Sequence, residues 1–587
     1  MSLGREPVEI VEIDMPVCTR VYGSAPCAAV LGTTGARKCF NTLKTCQDEA
    51  NYAETMLTLR FAKNQRGMPD DVDFFPALSG VSSRPGRVNL SGIDPKRSPL
   101  GQRARITVTL QDFTWQDTLT DPYQAQRVSG AAQADGIGYD PKSRGTFFTR
   151  MRARWPYYLG LPLRHKTGYR GEALGAMRTS HYVVTEWSGP DADGLVTITA
   201  KDILELADND KALAPSPSRG KLLAAISTAS ASLTLTPATV GAEYATSGLV
   251  SVGRELMRYS RSGDVMTLTG RGVAGTVVSS HSAGDVVQEA LEYANVPADV
   301  IISDLLTTFA GVPPGFIPSA AWQSEVQRWL GGSNLSAIIV KPEGVAGLVG
   351  EICQHGITCW WDEIDQEMKL TVNKPLDIGQ SYYPVTDETA IIERTAEVSD
   401  SVDERASQVL FWHGIVDPTD SATNSRNYRD LYIAGVVPNR YGEERVKAIY
   451  SRWFGSAGDA ANASVIADRL LSRYRDIPII LKCDLDAKDR DHVPLTAMIG
   501  VLTRQITDDT GATVTYPMQV LYREETIPGT RISIEAQTFT FDGRFGFYMQ
   551  AGDPSYDAAT DTDKAEGCFY VDGSIGHLSG DEPYTYF

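Results

Sequence analysis

Four cysteines, Cys18, Cys27, Cys39 and Cys46, stand at C-x8-C-x11-C-x6-C spacing and make up half of the eight cysteines in this 587-residue chain. Four thiolates this close in sequence can hold a structural zinc ion or an iron–sulfur cluster; the bland reading is buried or disulfide-linked thiols. The segment VCTRVYGSAPCAAVLGTTGARKCFNTLKTCQDEANY carries glycines at Gly23, Gly32 and Gly35 and no long amphipathic period, so it needs a staple rather than a core. Its spacing matches neither the paired C-x2-C knuckles of common zinc sites nor the ferredoxin run. Spacing alone therefore leaves cluster, zinc and plain cysteines open.

The rest of the chemistry-bearing residues are scattered. His165, His181, His281, His355, His413, His492 and His577 form no H-E-x-x-H or other ligand spacing, no G-x-S-x-G elbow accompanies Ser280 or Ser282, and no G-x4-G-K-[ST] phosphate loop occurs. Asp362 and Glu363 could imitate an acid/base couple, although an exposed hairpin accounts for them better. Asp484, Asp486, Asp489 and Asp491, and separately Asp557, Asp561 and Asp563, resemble calcium loops but lack the glycine and closing bidentate Glu. Cys353 and Cys359 flank a helix-to-strand turn as buried apolar residues. Trp360 and Trp361 project to opposite faces of a strand, one toward a core and the other toward a subunit interface.

Length implies several domains, and 42% hydrophobic with 22% charged residues describes a globular protein. A net charge of −18 argues against general duplex-DNA binding, which depends on Lys and Arg. The charge is uneven: residues 56–180 hold 19 Lys/Arg against 10 Asp/Glu, the place to expect an acidic partner chain or passing nucleic acid if the excess is more than a solvated face. No apolar leader and no run of about 18 apolar residues occurs, so no membrane-spanning segment is expected and folding is expected in a reducing cytoplasm.

The elements that must position these residues are mostly strands. EPVEIVEIDMP reads as an opening strand; ETMLTLRFA, ARITVTLQDFTW, GTFFTRMRARWPYYLG, SHYVVTEWSG and GLVTITAKDI read as short β-runs between turn clusters. DVVQEALEYANVP and GLVGEICQHG read as helices, the second capped by Gly356, followed by a hairpin turning near Asp365 and Gln366. Strands return after residue 376, interrupted by the helix AANASVIADRLLSRYRD. The expected architecture is α+β and mainly β. It comprises a cysteine-rich lobe (1–55), a first β-barrel (56–225), an inserted small β-barrel (226–288), an α/β segment (289–375), a second β-barrel (376–550) and an acidic C-terminal arm (551–587).

The string PCAAVLGTTGARKCFNTLKTCQDEANY, above all Cys39 to Asp48, resembles the cysteine-bearing segment of tail-tip and baseplate hub proteins of long non-contractile-tailed bacteriophages. VTITAKDILELADNDKALAPSPSRGKL, VAGLVGEICQHGITCWWDEIDQEMKLTVNKP, ERASQVLFWHGIVDP and the module at 228–288 are similar to later parts of such hubs. The resemblance implies tandem barrel-like hub domains forming a homotrimeric ring that closes the tail tube. It also implies a 4Fe-4S cluster, or alternatively zinc, on Cys18, Cys27, Cys39 and Cys46, and a structural rather than enzymatic role. The implied partners are the distal tail ring protein, the tape-measure protein and tip or fibre proteins, with transient contact to passing DNA. The implied place is the virion tail tip, assembled in the host cytoplasm. A receptor-binding tail protein or a tail-associated iron–sulfur enzyme is the alternative.

Overall fold

The computed structural model describes residues 6–63, 69, 72–208, 212–331, 333–375, 382–436, 440–455, 460–527 and 529–541, with short strands at 544–546, 571–572, 575–576 and 584–586. Apart from the short strands at 571–572, 575–576 and 584–586, the acidic arm, with Asp557, Asp561, Asp563 and His577, lies outside these residues. Strands take up 38% of the chain and helices 19%, so the fold is mainly β.

The first sheet is built from β1 (Pro7–Cys18), β2 (Glu54–Ala62), β3 (Leu78–Arg84), β4 (Arg105–Gln111), β5 (Pro162–Tyr169), β6 (Arg178–Ser188) and β7 (Leu195–Lys201), in the order β2-β1-β5-β6-β7-β4-β3. The opening strand is thus flanked on both sides. Val11, Ile13 and Met15 on one face of β1 enter a core with Phe61, Leu163, Val184 and Ile198. On the other face Glu12 and Asp14 are buried among charges. Glu12 accepts from Arg60 of β2 at 2.8 Å and Arg164 of β5 at 2.7 Å, while Asp14 accepts two bonds from Arg164 and one from Thr58. These partners stand directly opposite one another across the ladder, Glu12 with Arg60 and Arg164 and Asp14 with Thr58, where cross-strand pairs interact most strongly. Asp14, though desolvated, is held below the usual carboxylate range by Arg164 and Thr58.

The expected barrel is an open sheet. Among the described residues the edges β2 and β3 approach through Phe75, which hydrogen-bonds Arg60 and Ala62 of β2. The aromatic stack of Phe61, Phe75, Phe113 and Phe147 fills that seam. One of those rings, Phe147, comes from GTFFTRMRARW, expected as a strand but folded as helix. After a short α1 (Gln124–Val128), α2 spans Phe147–Arg154, capped through Thr146 and Thr149 and burying Phe147, Phe148, Met151 and Arg154 on one side.

A two-residue β8 (Leu213–Ala214) leads to the second sheet, which extends beyond residue 288. It comprises β9 (Lys221–Leu222), β10 (Ser232–Thr236), β11 (Ser247–Val252), β12 (Glu255–Ser262), β13 (Val265–Arg271), β14 (Val287–Val296) and β15 (Leu335–Ile339), in the open order β15-β14-β11-β12-β13-β10-β9. Strand β14 is the segment expected as a helix. Its apolar residues also satisfy a period of two, and pairing to both β11 and β15 decides for the strand.

The middle of the chain supplies α3 (Ala298–Asp304), α4 (Ser319–Leu330), β16 (Glu343–Gly344), α5 (Val345–Cys353) and the hairpin β17 (Ile357–Asp362) and β18 (Glu367–Val372). Helix α5 stops before Gly356, whose φ of +92° suits only glycine, and the hairpin turns at Gln366 with φ +56°. Then follow β19 (Tyr383–Thr386), β20 (Glu397–Asp400), β21 (Gln408–Ile415), β22 (Tyr428–Gly435), β23 (Val446–Tyr450), α6 (Ala460–Tyr474), β24 (Ile479–Asp486), β25 (Met498–Leu502), β26 (Tyr516–Ile527) and β27 (Arg531–Thr538). These form an open six-stranded sheet, β19-β25-β26-β27-β24-β20, and a separate three-stranded one, β22-β21-β23, on which α6 packs. The second barrel is thus two sheets.

The largest core joins α3 to α6, the hairpin and β21. Trp361 belongs to it and Trp360 to a smaller cluster with Val88, Leu90, Ile480 and Leu521, so both tryptophans are internal and neither is free for a subunit interface. His355 sits in the large core between Phe411 and Phe454, with no hydrogen-bond partner for either ring nitrogen among the described residues. Burial pushes its pKa down to about 3, from an ordinary 6.5. The unfolded chain therefore takes up a proton between those values that the native state refuses, so stability present above pH 6.5 is lost as pH falls. Between pH 6.5 and 4.5 this costs about 2–3 kcal/mol at 1.36 kcal/mol per unit. Urea denaturation at both pH values should show wild type losing that much more stability than His355→Leu.

Candidate functional site

The cysteine segment is the long loop of the hairpin formed by β1 and β2. Cys18 ends β1 opposite Glu54, Thr19 N donates to Ala53 O at 2.8 Å, and Cys18 N donates to Asn41 O at 2.7 Å. Both ends are thus fixed to one sheet. Between residues 19 and 53 only Ala29 and Thr42 are buried, so the loop has no apolar core of its own. Instead Cys18, Cys27, Cys39 and Cys46 line one cavity, together with Tyr22, Gln47, Asp48 and Tyr52.

Local backbone aims amides at the sulfurs. Arg20 N donates to Cys18 Sγ and Asp48 N to Cys46 Sγ, each at 3.4 Å, and the Asn41 backbone lies in the same relation to Cys39. Each donor is two residues beyond its cysteine, a repeat that places positive dipoles where thiolate charge would develop. Burial raises the Cys39 and Cys46 thiols, and the mutual repulsion of the quartet raises them further. Tyr52, pushed up to about 12 by burial and then by Glu54, Cys18 and Cys46, keeps its proton.

Tetrahedral zinc with Zn–S bonds near 2.3 Å sets its sulfurs about 3.8 Å apart. Among the described residues no three His, Cys, Asp or Glu side chains are gathered closely enough to hold a metal ion. The four thiols line one cavity.

What holds this loop against the sheet was not read from the sequence. Arg127 and Asp121, both side chains fully buried, pair at 2.5 Å, and Arg127 also donates to the carbonyls of Lys38 at 2.9 Å and Cys39 at 2.6 Å. Phe40 lies beneath the guanidiniums of Arg127 and Arg154, 3.6 and 4.0 Å from its ring centre. Arg154 in turn makes a bidentate pair with Asp117, at 3.1 and 2.7 Å, which Arg150 joins at 2.8 Å. Tyr22 N donates to Tyr123 Oη, Lys38 N to Ala132 O and Ala134 N to Ala36 O. The available signal was the run of arginines in RMRAR beside an acidic turn.

The same accounting relocates the basic excess of residues 56–180. Arg60, Arg87, Arg127, Arg150, Arg154 and Arg164 are all ion-paired in buried or partly buried positions. Much of that positive charge is internal structure.

The other candidates separate. Cys353 and Cys359 are buried in the large core, and burial pushes both thiols up, Cys353 to about 12. Asp484 is bound by Arg531 and Ser533, Asp486 caps Lys488 N, Asp489 accepts from Tyr383 and Asp491 pairs with Arg178, so the four carboxylates each serve a different partner. Glu363 is not on an exposed hairpin surface; it lines a polar cavity of about 310 Å3 between the first sheet, the hairpin and β26, where burial lifts its pKa to about 7. Its neighbour Asp362 accepts from the amides of Ile364 and Asp365 and shapes the turn, so the two do not act as a couple. In the second sheet Ser279, His281 and Glu255 approach, but Ser279 and Glu255 contact the same Nε2 of His281, unlike a relay through two ring nitrogens.

No protein-family profile matches the chain, and no curated protein matches it. Among solved structures, a tail protein from Neisseria meningitidis MC58 aligns at 10% identity over 78% of this chain and 95% of its own, with a TM-score of 0.35. The 43 kDa tail protein of prophage MuSo2 from Shewanella oneidensis aligns at 10% identity over 78% and 97%, TM-score 0.33. A Francisella PdpA-VgrG complex aligns at 8% identity over 94% of this chain and 60% of its own, TM-score 0.31. All three are loose superpositions.

Removing one partner of a buried charge pair leaves the other uncompensated, a cost of about 3–5 kcal/mol. Asp121→Ala should lower the denaturation midpoint accordingly, and Asp121→Ala with Arg127→Met should recover part of the loss. Near-equal destabilisation in the double variant would show that the grip on the Lys38 and Cys39 carbonyls outweighs the charge.

Proposed function

We propose that this chain is a structural hub protein of a long-tailed bacteriophage tail tip, with Cys18, Cys27, Cys39 and Cys46 holding a 4Fe-4S cluster. The observation that carries the reading is the gathering of those four sulfurs round one cavity in a loop that has no core. The resemblance of the Cys39–Asp48 stretch to hub proteins supports it, as do the backbone amides aimed at the sulfurs.

The role is geometric. A bound cluster would supply four iron–thiolate bonds whose free energy orders the loop directly. The chain's own residues do the remainder: β1 and β2 fix the ends of the loop, Arg127 and Phe40 seat Cys39, and the amides of Arg20 and Asp48 take up thiolate charge. On this reading three copies form a ring at the distal end of the tail tube, in the virion, contacting the distal tail ring and tape-measure proteins and anchoring tip or fibre proteins.

Anaerobic purification followed by absorption spectroscopy, iron and sulfide analysis and solution mass tests both parts. The expected result is a brown trimer with equal iron and acid-labile sulfide, both lost in each Cys→Ala variant at the four positions. A colourless, zinc-bearing monomer would overturn cluster and ring together. Deleting residues 226–288 should leave the hub role to be judged by tail assembly: intact tails that no longer adsorb would favour receptor binding.

A further inference from the structure

The polar groups round the cysteine cavity satisfy one another, with one exception. Tyr22 Oη donates to Gln47 Oε1 at 2.9 Å, Asn51 donates to both carboxylate oxygens of Asp48, Asp48 accepts from Ala28 N at 2.7 Å, and Thr42 and Thr45 share a hydroxyl bond. Asn41 Nδ2 donates to Cys18 O at 3.1 Å. Tyr52 lines the same cavity; the Leu43 backbone amide faces its buried hydroxyl oxygen, and no acceptor for the hydroxyl's own proton occurs among the described residues. Leaving a buried hydroxyl unmatched costs about 1–3 kcal/mol, and native structures match such groups with protein, water or ligand.

We infer that the Tyr52 hydroxyl donates a hydrogen bond to the sulfur framework of the group held by Cys18, Cys27, Cys39 and Cys46, and so sets its reduction potential. This inference rests on the cluster reading above. A donor to cluster sulfur stabilises the more negative, reduced state and raises the potential, one of the main levers a protein has over such a group. Tyr52 is held for that role by its place in the chain. It closes the short turn Glu49–Asn51, its amide donating to Glu49 O, two residues before β2 begins at Glu54 beside Cys18. A donor fixed to the sheet at one end and to the turn at the other approaches the cavity in a single orientation. Tyr22, the second phenol on the cavity, is occupied by Gln47 and provides an internal control.

Potentiometric titration of the anaerobically purified full chain, followed by absorption and electron paramagnetic resonance, tests this. Tyr52→Phe keeps the ring and removes the donor: iron and sulfide content should match wild type while the potential moves to more negative values. Replacing Tyr52 by 3-fluorotyrosine strengthens the donor and should move the potential the other way, a pair of opposite shifts that altered packing does not produce. Tyr22→Phe should leave the potential in place. A loaded Tyr52→Phe protein with the wild-type potential, or an equal shift in Tyr22→Phe, overturns the inference while leaving the cluster reading intact. Wild-type protein without iron and sulfide overturns both.

Discussion

The buried pair of Asp121 and Arg127 is the constraint on which the arrangement of the cysteine segment depends. A guanidinium with no solvent contact needs its charge compensated inside the protein. Asp121 matches the charge, and the Lys38 and Cys39 carbonyls take two of the remaining protons. The Arg127 donors thus fix the backbone on either side of the bond that leads into Cys39. Phe40, the next residue, is held between that guanidinium and Arg154, itself fixed by Asp117. Position is transmitted from α2 and the 117–127 turn to a thiol that neither touches.

A second ionic ladder explains why the base of the loop is rigid. Glu12 and Asp14 lie buried on the polar face of β1, and they persist there because Arg60, Thr58 and Arg164 meet them in register from both neighbouring strands. Slipping β1 by one residue would exchange its faces, turning Glu12 and Asp14 into the apolar core and Val11 and Ile13 onto the arginines, so the register that places Cys18 opposite Glu54 is strongly specified. The strand that ends on the first cysteine is therefore among the best determined in the sheet.

The sequence made the strands of this sheet legible because alternation of residues such as Val11, Ile13 and Met15 needs only a period of two. It misled at two places for the same physical reason. Phe147 and Phe148 look like strand aromatics, but the Thr146–Thr149 cap turns them into a helix that fills the seam of the sheet. Residues 287–296 carry apolar side chains compatible with both periods, and only partners distant in sequence, Leu249 and Ile339, make them a strand. Sheet closure was not legible either, since it depends on whether β2 meets β3 and not on any local pattern. Of the site, the four cysteines were visible by spacing, whereas their supports were not: Asp121, Arg127 and Arg154 look like ordinary surface charges until the fold buries them.

That burial also bears on how the loop would answer binding of the proposed group. Its ends are pinned by β1 and β2 and one side by Arg127, so these contacts persist whether or not the thiols are ligated. Residues near Cys27 have less to hold them: Cys27 N bonds only to Ser24 O within its own turn, and Ala28 N reaches Asp48. Three cysteines are thus placed by the sheet, by Arg127 or by the Leu43–Thr45 turn, while the fourth depends most on the shared group to draw it in. Ligation would then tie the least anchored turn to the best anchored strand. This division suits a structural clamp: the free energy of binding is applied where the polypeptide supplies least of its own.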